Sequence, residues 1–225
     1  MTTKVEFSTK SGPATGELAL PPGEGKAGAV IVFQEWWGLN DHMRSITDRF
    51  AAAGFVALCI DLYDGKTTKD PAEAQKLMSS LDWGKAIERA QGAFEYLAAH
   101  PRSNGKVAAA GFCMGGALTI AAAANIPTLA AGASFYGLPD LSKVSLDNLK
   151  APILSHVAKR DEWVKPENAI ALRDKLRAEG KTMDVEVYEA DHAFVNDTRP
   201  EVYSPDNAKL ALDRTYAFLK QHLAQ

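Results

Sequence analysis

Apolar positions in this chain fall into two alternating kinds of run. Short, mostly uncharged runs recur at Ala29–Phe33, Phe55–Ile60, Val107–Ala110, Leu129–Tyr136 and Ala151–Val157, and Asp184–Tyr188 alternates apolar with acidic residues. These read as strands, most of them buried on both faces. Between them lie stretches with helical spacing. Met43, Ile46, Phe50 and Ala53 form one stripe, which Asp41 is expected to cap and Gly54 to end. A helix is expected over Pro71–Ser80. A longer one over Asp82–His100 carries Trp83, Ile87, Ala90, Phe94 and Leu97 on one face. Ala117–Ala124 is small and helix-favouring, Pro166–Glu179 stops at Gly180, and Asp206–Leu223 turns Ala208, Leu212, Leu219 and Leu223 inward. Val5–Ser8 and Gly16–Leu20 read as an N-terminal hairpin about Ser11-Gly12-Pro13. Strands alternating with helices predict an α/β fold: a mostly parallel central sheet covered by helices on both faces. Functional residues then belong off the carboxyl ends of the strands.

Composition narrows the picture. With 225 residues and no repeat or linker, residues 1–225 read as one domain. A formal charge of −3 and the lack of a Lys/Arg run argue against nucleic acid as a partner. No stretch approaches the roughly 18 apolar residues of a membrane span, and MTTKVEFSTKSGP has no apolar signal core. Two cysteines, Cys59 and Cys113, fit a reducing cytoplasm and no disulfide framework. There is no C-x-x-C and no His/Cys cluster, so no metal such as a structural zinc is expected.

The chemistry concentrates at Val107–Ala124. A strand, Gly111-Phe112-Cys113-Met114-Gly115-Gly116 and a small-residue helix meet at Cys113. This is a G-x-S-x-G nucleophile elbow with sulfur in place of oxygen. Gly111 and Gly115 are expected to clear the nucleophile, and Gly116 to let the helix lie close. A helix N-terminus favours a thiolate there. Two later strand ends supply partners: Asp161 with Glu162 after Ala151–Val157, and His192 after Asp184–Tyr188. Nucleophile, acid, histidine is the chain order of the α/β-hydrolase fold. Asp161 competes with Glu162, but it comes first after its strand and is followed by a bulky residue in the usual order. His42, His100, His156 and His222 each sit in a helix, a helix end or a strand, where capping, core or solvated roles suit them better. The N–H of Met114 supplies one oxyanion donor, and Trp36, after Ala29–Phe33, the other.

Gln34-Glu35-Trp36-Trp37-Gly38, the Cys113 elbow, Asp161 and His192-Ala193-Phe194 together resemble the dienelactone hydrolase (carboxymethylenebutenolidase) family, with Asp61-Leu62-Tyr63 and Asn196-Asp197-Thr198-Arg199-Pro200 extending the likeness. The resemblance implies a cofactor-free hydrolase of enol lactones or related small esters, with a Cys-His-Asp triad and a thioester intermediate. It also implies that Glu35 approaches the resting thiol and helps activate it. A carboxylate there would oppose a permanent thiolate and limit oxidation of the idle enzyme. One departure stands out. The type enzyme holds a substrate carboxylate with arginines, one shortly after the histidine, whereas here no arginine follows His192 until Arg199, and Leu77–Trp83 has none. A carboxylated dienelactone is therefore not the expected substrate. Trp36, Trp37, Tyr63 and Tyr136 suggest a more aromatic pocket, with Trp37, Tyr136 and Arg199 as candidate substrate contacts; a monomer or homodimer is expected. The alternatives are a thiol-dependent amidotransferase-like protein, which would want His-x-Glu where this chain has His192-Ala193-Phe194, a redox thiol protein, and a non-catalytic binding module on a related fold.

Overall fold

Alternation along the strands sorts the interior into two layers, one on each face of the sheet. A computed structural model of the chain describes residues 1–224. Its strands are β1 (Thr3–Thr9), β2 (Gly12–Ala19), β3 (Ala27–Phe33), β4 (Val56–Ile60), β5 (Ser103–Phe112), β6 (Gly132–Phe135), β7 (Ile153–Ala158) and β8 (Met183–Tyr188). They form one sheet in the order β1-β2-β4-β3-β5-β6-β7-β8. β1 and β2 pair antiparallel as the expected hairpin, and β2 joins β4 antiparallel. From β4 to β8 every pairing is parallel. All carboxyl ends from β3 to β8 therefore open on one edge.

The helices are α1 (Asp41–Ala52), α2 (Pro71–Ser79), α3 (Trp83–Ala99), α4 (Met114–Asn125), α5 (Pro166–Ala178) and α6 (Pro205–Leu223). Met43, Ile46 and Phe50 of α1 and Ala208, Ala211, Leu212 and Leu219 of α6 pack on Val30, Val32, Ala108 and Ala110. The opposite side of the same strands, Ala29, Ile31, Val107 and Ala109, meets α3 and the Leu118–Ala122 face of α4. The remaining face of α4 joins α5 over β7 and β8. No helix among the described residues is long and apolar enough to cross a membrane.

The cap of α1 and the buried face of α3 differ from the sequence expectation. Asn40, not Asp41, caps α1: its side chain accepts from the Met43 N–H at 3.1 Å, while Asp41 is exposed and pairs with Arg44. In α3 the fully buried face is Ala86, Ala90, Ala93 and Leu97, with Trp83, Ile87 and Phe94 only flanking it. The close approach of β1 explains the shift. A Cβ on Gly92 would lie 2.3 Å from the Ser8 carbonyl oxygen, so only small residues fit that side.

Candidate active site

The turn between β5 and α4 holds Cys113 at φ 56° and ψ −119°, a conformation that costs an L residue about 1–3 kcal/mol. Close packing of small residues maintains it. A Cβ on Gly111 would stand 2.1 Å from the Gly115 carbonyl oxygen, and one on Gly115 would stand 2.5 Å from the Gln34 and Phe33 oxygens. These glycines thus clear each other and the end of β3, rather than the Cys113 side chain. Gly116 lets α4 approach β6, where a Cβ would meet the Phe135 oxygen at 2.7 Å.

Three strand ends converge on this turn. Asp161, just past β7, is buried, and its Oδ1 accepts the N–H groups of Trp163 and Val164 at 2.8 and 2.9 Å. Its Oδ2 is 2.7 Å from Nδ1 of His192, just past β8. Cys113 is near enough to the same imidazole for its charge to act on it. Burial works against a charged His192, but the hydrogen bond to Asp161 and the nearness of Cys113 and Asp161 outweigh it and raise its pKa to about 10. Glu162 is exposed and does not hydrogen-bond His192. Asp191 forms an ion pair with Arg160 instead of meeting its neighbour His192.

Neither the Met114 nor the Trp36 backbone N–H donates to a backbone carbonyl among the described residues. Met114 opens α4 and has no carbonyl within its own helix to bond. The Met114 sulfur accepts from the Tyr63 hydroxyl at 3.4 Å, and burial, with Cys113 nearby, pushes the Tyr63 phenol above its usual range.

Glu35 is almost fully buried beside this turn. Its Oε1 accepts the Tyr136 hydroxyl at 3.2 Å, and its Oε2 accepts Nδ2 of Asn196 at 2.7 Å. Among the described residues no hydrogen bond joins Glu35 to Cys113. Tyr136 is completely buried at φ 41°, with its ring edge-on to His192 at 5.1 Å. Burial, then the charges of Glu35 and Cys113, keep its hydroxyl protonated. Asn196 was not singled out from the sequence as a site residue. Asp197 beside it is tied to α1 through Arg49 and His42, which fixes the segment that carries Asn196.

Trp37 and Arg199 line a cavity of about 390 Å³ with Lys69, Asn196 and Glu201. The Arg199 guanidinium lies over the Trp37 ring at 5.7 Å, and its Nε donates to Glu201 at 2.9 Å. A wider groove of about 510 Å³ adjoins this cavity at Asn40, Thr68 and Lys69. It is lined further by Glu17 and Arg44, and neither hollow is lined by Cys113, Asp161 or His192.

The dienelactone hydrolase family model matches residues 15–223. The chain is 38% identical to Protein usf of Aquifex pyrophilus over 97% of this chain and 98% of that one. It is 29% identical to carboxymethylenebutenolidase 1 of Cupriavidus pinatubonensis, with 87% of each chain covered. A crystal structure of a dienelactone hydrolase-like promiscuous phosphotriesterase from metagenomic libraries is similar at a TM-score of 0.87 and 26% identity, covering 100% of this chain and 99% of that one. Likeness running from residue 15 to residue 223 takes in every strand end described above, and the chain belongs to the dienelactone hydrolase family of carboxylic ester hydrolases.

Proposed function

We propose that this hydrolase cleaves neutral small esters or lactones through Cys113, His192 and Asp161, by way of a thioester. His192, kept protonated at neutral pH by its raised pKa, pairs with the Cys113 thiolate, and the sulfur adds to the carbonyl carbon. The carbonyl electrons move onto oxygen, which the N–H groups of Met114 and Trp36 receive. The C–O bond then breaks, and His192 gives its proton to the leaving oxygen. In a lactone that oxygen stays tethered to the acyl chain. A water next gives its proton to His192 and adds to the thioester; the C–S bond breaks, and the sulfur leaves as the thiolate beside protonated His192. Asp161 orients the imidazole throughout. No step needs a cofactor.

The observation that carries this reading is the single imidazole shared between Asp161, at 2.7 Å, and Cys113 at a strained elbow. Glu35 acts in it as the buried acceptor that positions Tyr136 and Asn196 around the nucleophile. Support for a neutral substrate comes from Arg199, whose charge is already met by Glu201 and the Trp37 face; Lys69, on the same cavity, has no ion pair among the described residues. A carboxylated substrate needs an unspent cation to offset its desolvation.

Assays of wild type and Cys113→Ala against a panel of small esters and lactones test the proposal. Wild type is expected to favour neutral aryl esters or lactones over carboxylated dienelactones, and Cys113→Ala to fall to background with its fold intact. Arg199→Ala is expected to shift the neutral-ester rate by less than about tenfold. Full activity in Cys113→Ala would overturn the mechanism, and a preference for the carboxylated lactone that Arg199→Ala abolishes would overturn the substrate class.

A further inference from the structure

β3 and β7 are separated in the sheet by β5 and β6. At ordinary strand spacing that places their carboxyl ends about 14 Å apart. The loops that follow them nevertheless touch, because the Trp36 ring lies 6.2 Å from the Trp163 ring at 62°. The two indoles therefore reach toward each other across the ends of β5 and β6, where Cys113 and Tyr136 sit.

The backbones of both tryptophans are already committed. The Trp36 N–H is the proposed second oxyanion donor, and the N–H of Trp163 donates to Asp161 at 2.8 Å. Their rings serve neither purpose. They belong to a row in which Arg199 covers Trp37, Trp37 meets Trp36 at 5.0 Å, and Trp36 meets Trp163. The row is closed at the Arg199 end and open at the other, where Trp163 is 70% exposed. Of the charged residues near Trp163 in the chain, Lys159 pairs with Glu189 and Arg160 with Asp191, while Glu162 and Lys165 carry opposite charges on either side of it. An open indole among balanced charges suits a flat, uncharged group better than an anion.

We infer that Trp163, braced by Trp36, is a specificity-determining residue that holds the planar, apolar part of the substrate over Cys113, so that aryl esters are preferred to alkyl esters. The inference rests on the hydrolytic reading of Cys113 and adds to it a residue and a substrate shape. Exposed indole offers edge-to-face or offset stacking to an aromatic group and little to an alkyl one.

The test compares kcat/KM for phenyl acetate and trifluoroethyl acetate in wild type, Trp163→Ala and Trp163→Phe. Taking the ratio of the two esters within each enzyme, and then between enzymes, cancels their intrinsic reactivities. Trp163→Ala keeps its backbone N–H, so the bond to Asp161 survives. It is expected to lower the phenyl-to-trifluoroethyl ratio about tenfold, with Trp163→Phe within about threefold of wild type, as loss or retention of an aromatic contact implies. An unchanged ratio in an active Trp163→Ala enzyme would overturn the inference while leaving the Cys113 mechanism standing. Equal loss on both esters would also overturn it, since that marks a structural role. Hydrolysis of neither ester by wild type would overturn both readings.

Discussion

Two cysteines and two histidines divide between the interior of the sheet and its carboxyl edge, and the same side chains behave oppositely in the two places. Cys59 lies inside β4, fully buried, and burial pushes its thiol far above the ordinary range. His156 lies inside β7, stacked on Phe135 at 4.6 Å, with Tyr188 and Thr215 each 2.8 Å from a ring nitrogen. Burial, helped by Arg214, pushes its pKa down to about 3. At the edge, His192 is also largely buried, yet its pKa rises to about 10 because Asp161 and Cys113 face it. Burial alone makes a thiol or an imidazole inert. Burial beside an opposite charge makes it poised, and only the strand ends bring such groups together.

The comparison is broken most severely by removing the charge that distinguishes the edge. Asp161→Asn is expected to lower kcat by about 10³–10⁴-fold, since the imidazole loses its acceptor and can settle in the wrong tautomer. Glu162→Gln should stay within about twofold, because it touches no member of the set. Steady-state kinetics on one neutral aryl ester decide between them; a crippled Glu162→Gln would move the acid to the wrong carboxylate.

The two histidines can be set against each other by pH. His192 has a raised pKa, so its contribution to stability is complete below the ordinary histidine value and is lost as pH rises toward about 10. His156 has a lowered pKa, so it withholds a proton that the unfolded chain would bind, and stability falls as pH drops below the ordinary value toward about 3. Thermal melts should therefore show the alkaline decline in Tm reduced by about 3 °C in His192→Gln, and the acid decline reduced by a similar amount in His156→Gln. Matching pH profiles in the two variants would erase the distinction. The smallest effect belongs to Cys59→Ala, whose kcat/KM should lie within about twofold of wild type at a modest cost in stability.

Much of this edge is legible in the sequence because its parts are local. Each strand announces itself as an apolar run, and Cys113, Asp161 and His192 each follow one within a few residues. Element boundaries are less legible. β5 starts at Ser103 rather than Val107, since the polar Ser103 pairs with Ala27 at the margin of the sheet, where no apolar side chain is needed. β6 is shortened to Gly132–Phe135 because Leu129 still belongs to the turn leaving α4, donating to Ile126, and Ala130 makes only a first bond to Val107 of β5. Contacts between distant loops leave no local signature at all. Glu35 and Asn196 are 161 positions apart, and nothing near either names the other. Trp163 offered a faint signal, a bulky apolar residue within the charged run Lys159–Lys165, but its meeting with Trp36 depends on how far two loops lean across the sheet.

The central claim is that the edge cysteine, not the buried one, carries the acyl group. Intact-protein and peptide mass spectrometry of wild-type enzyme, acid-quenched during turnover of a neutral acetate ester, measures this directly. The account predicts one acetyl group, confined to the peptide containing Cys113, absent from the peptide containing Cys59, and longer-lived in Asp161→Asn. Acetylation of any other residue during turnover, with Cys113 unmodified, would contradict it.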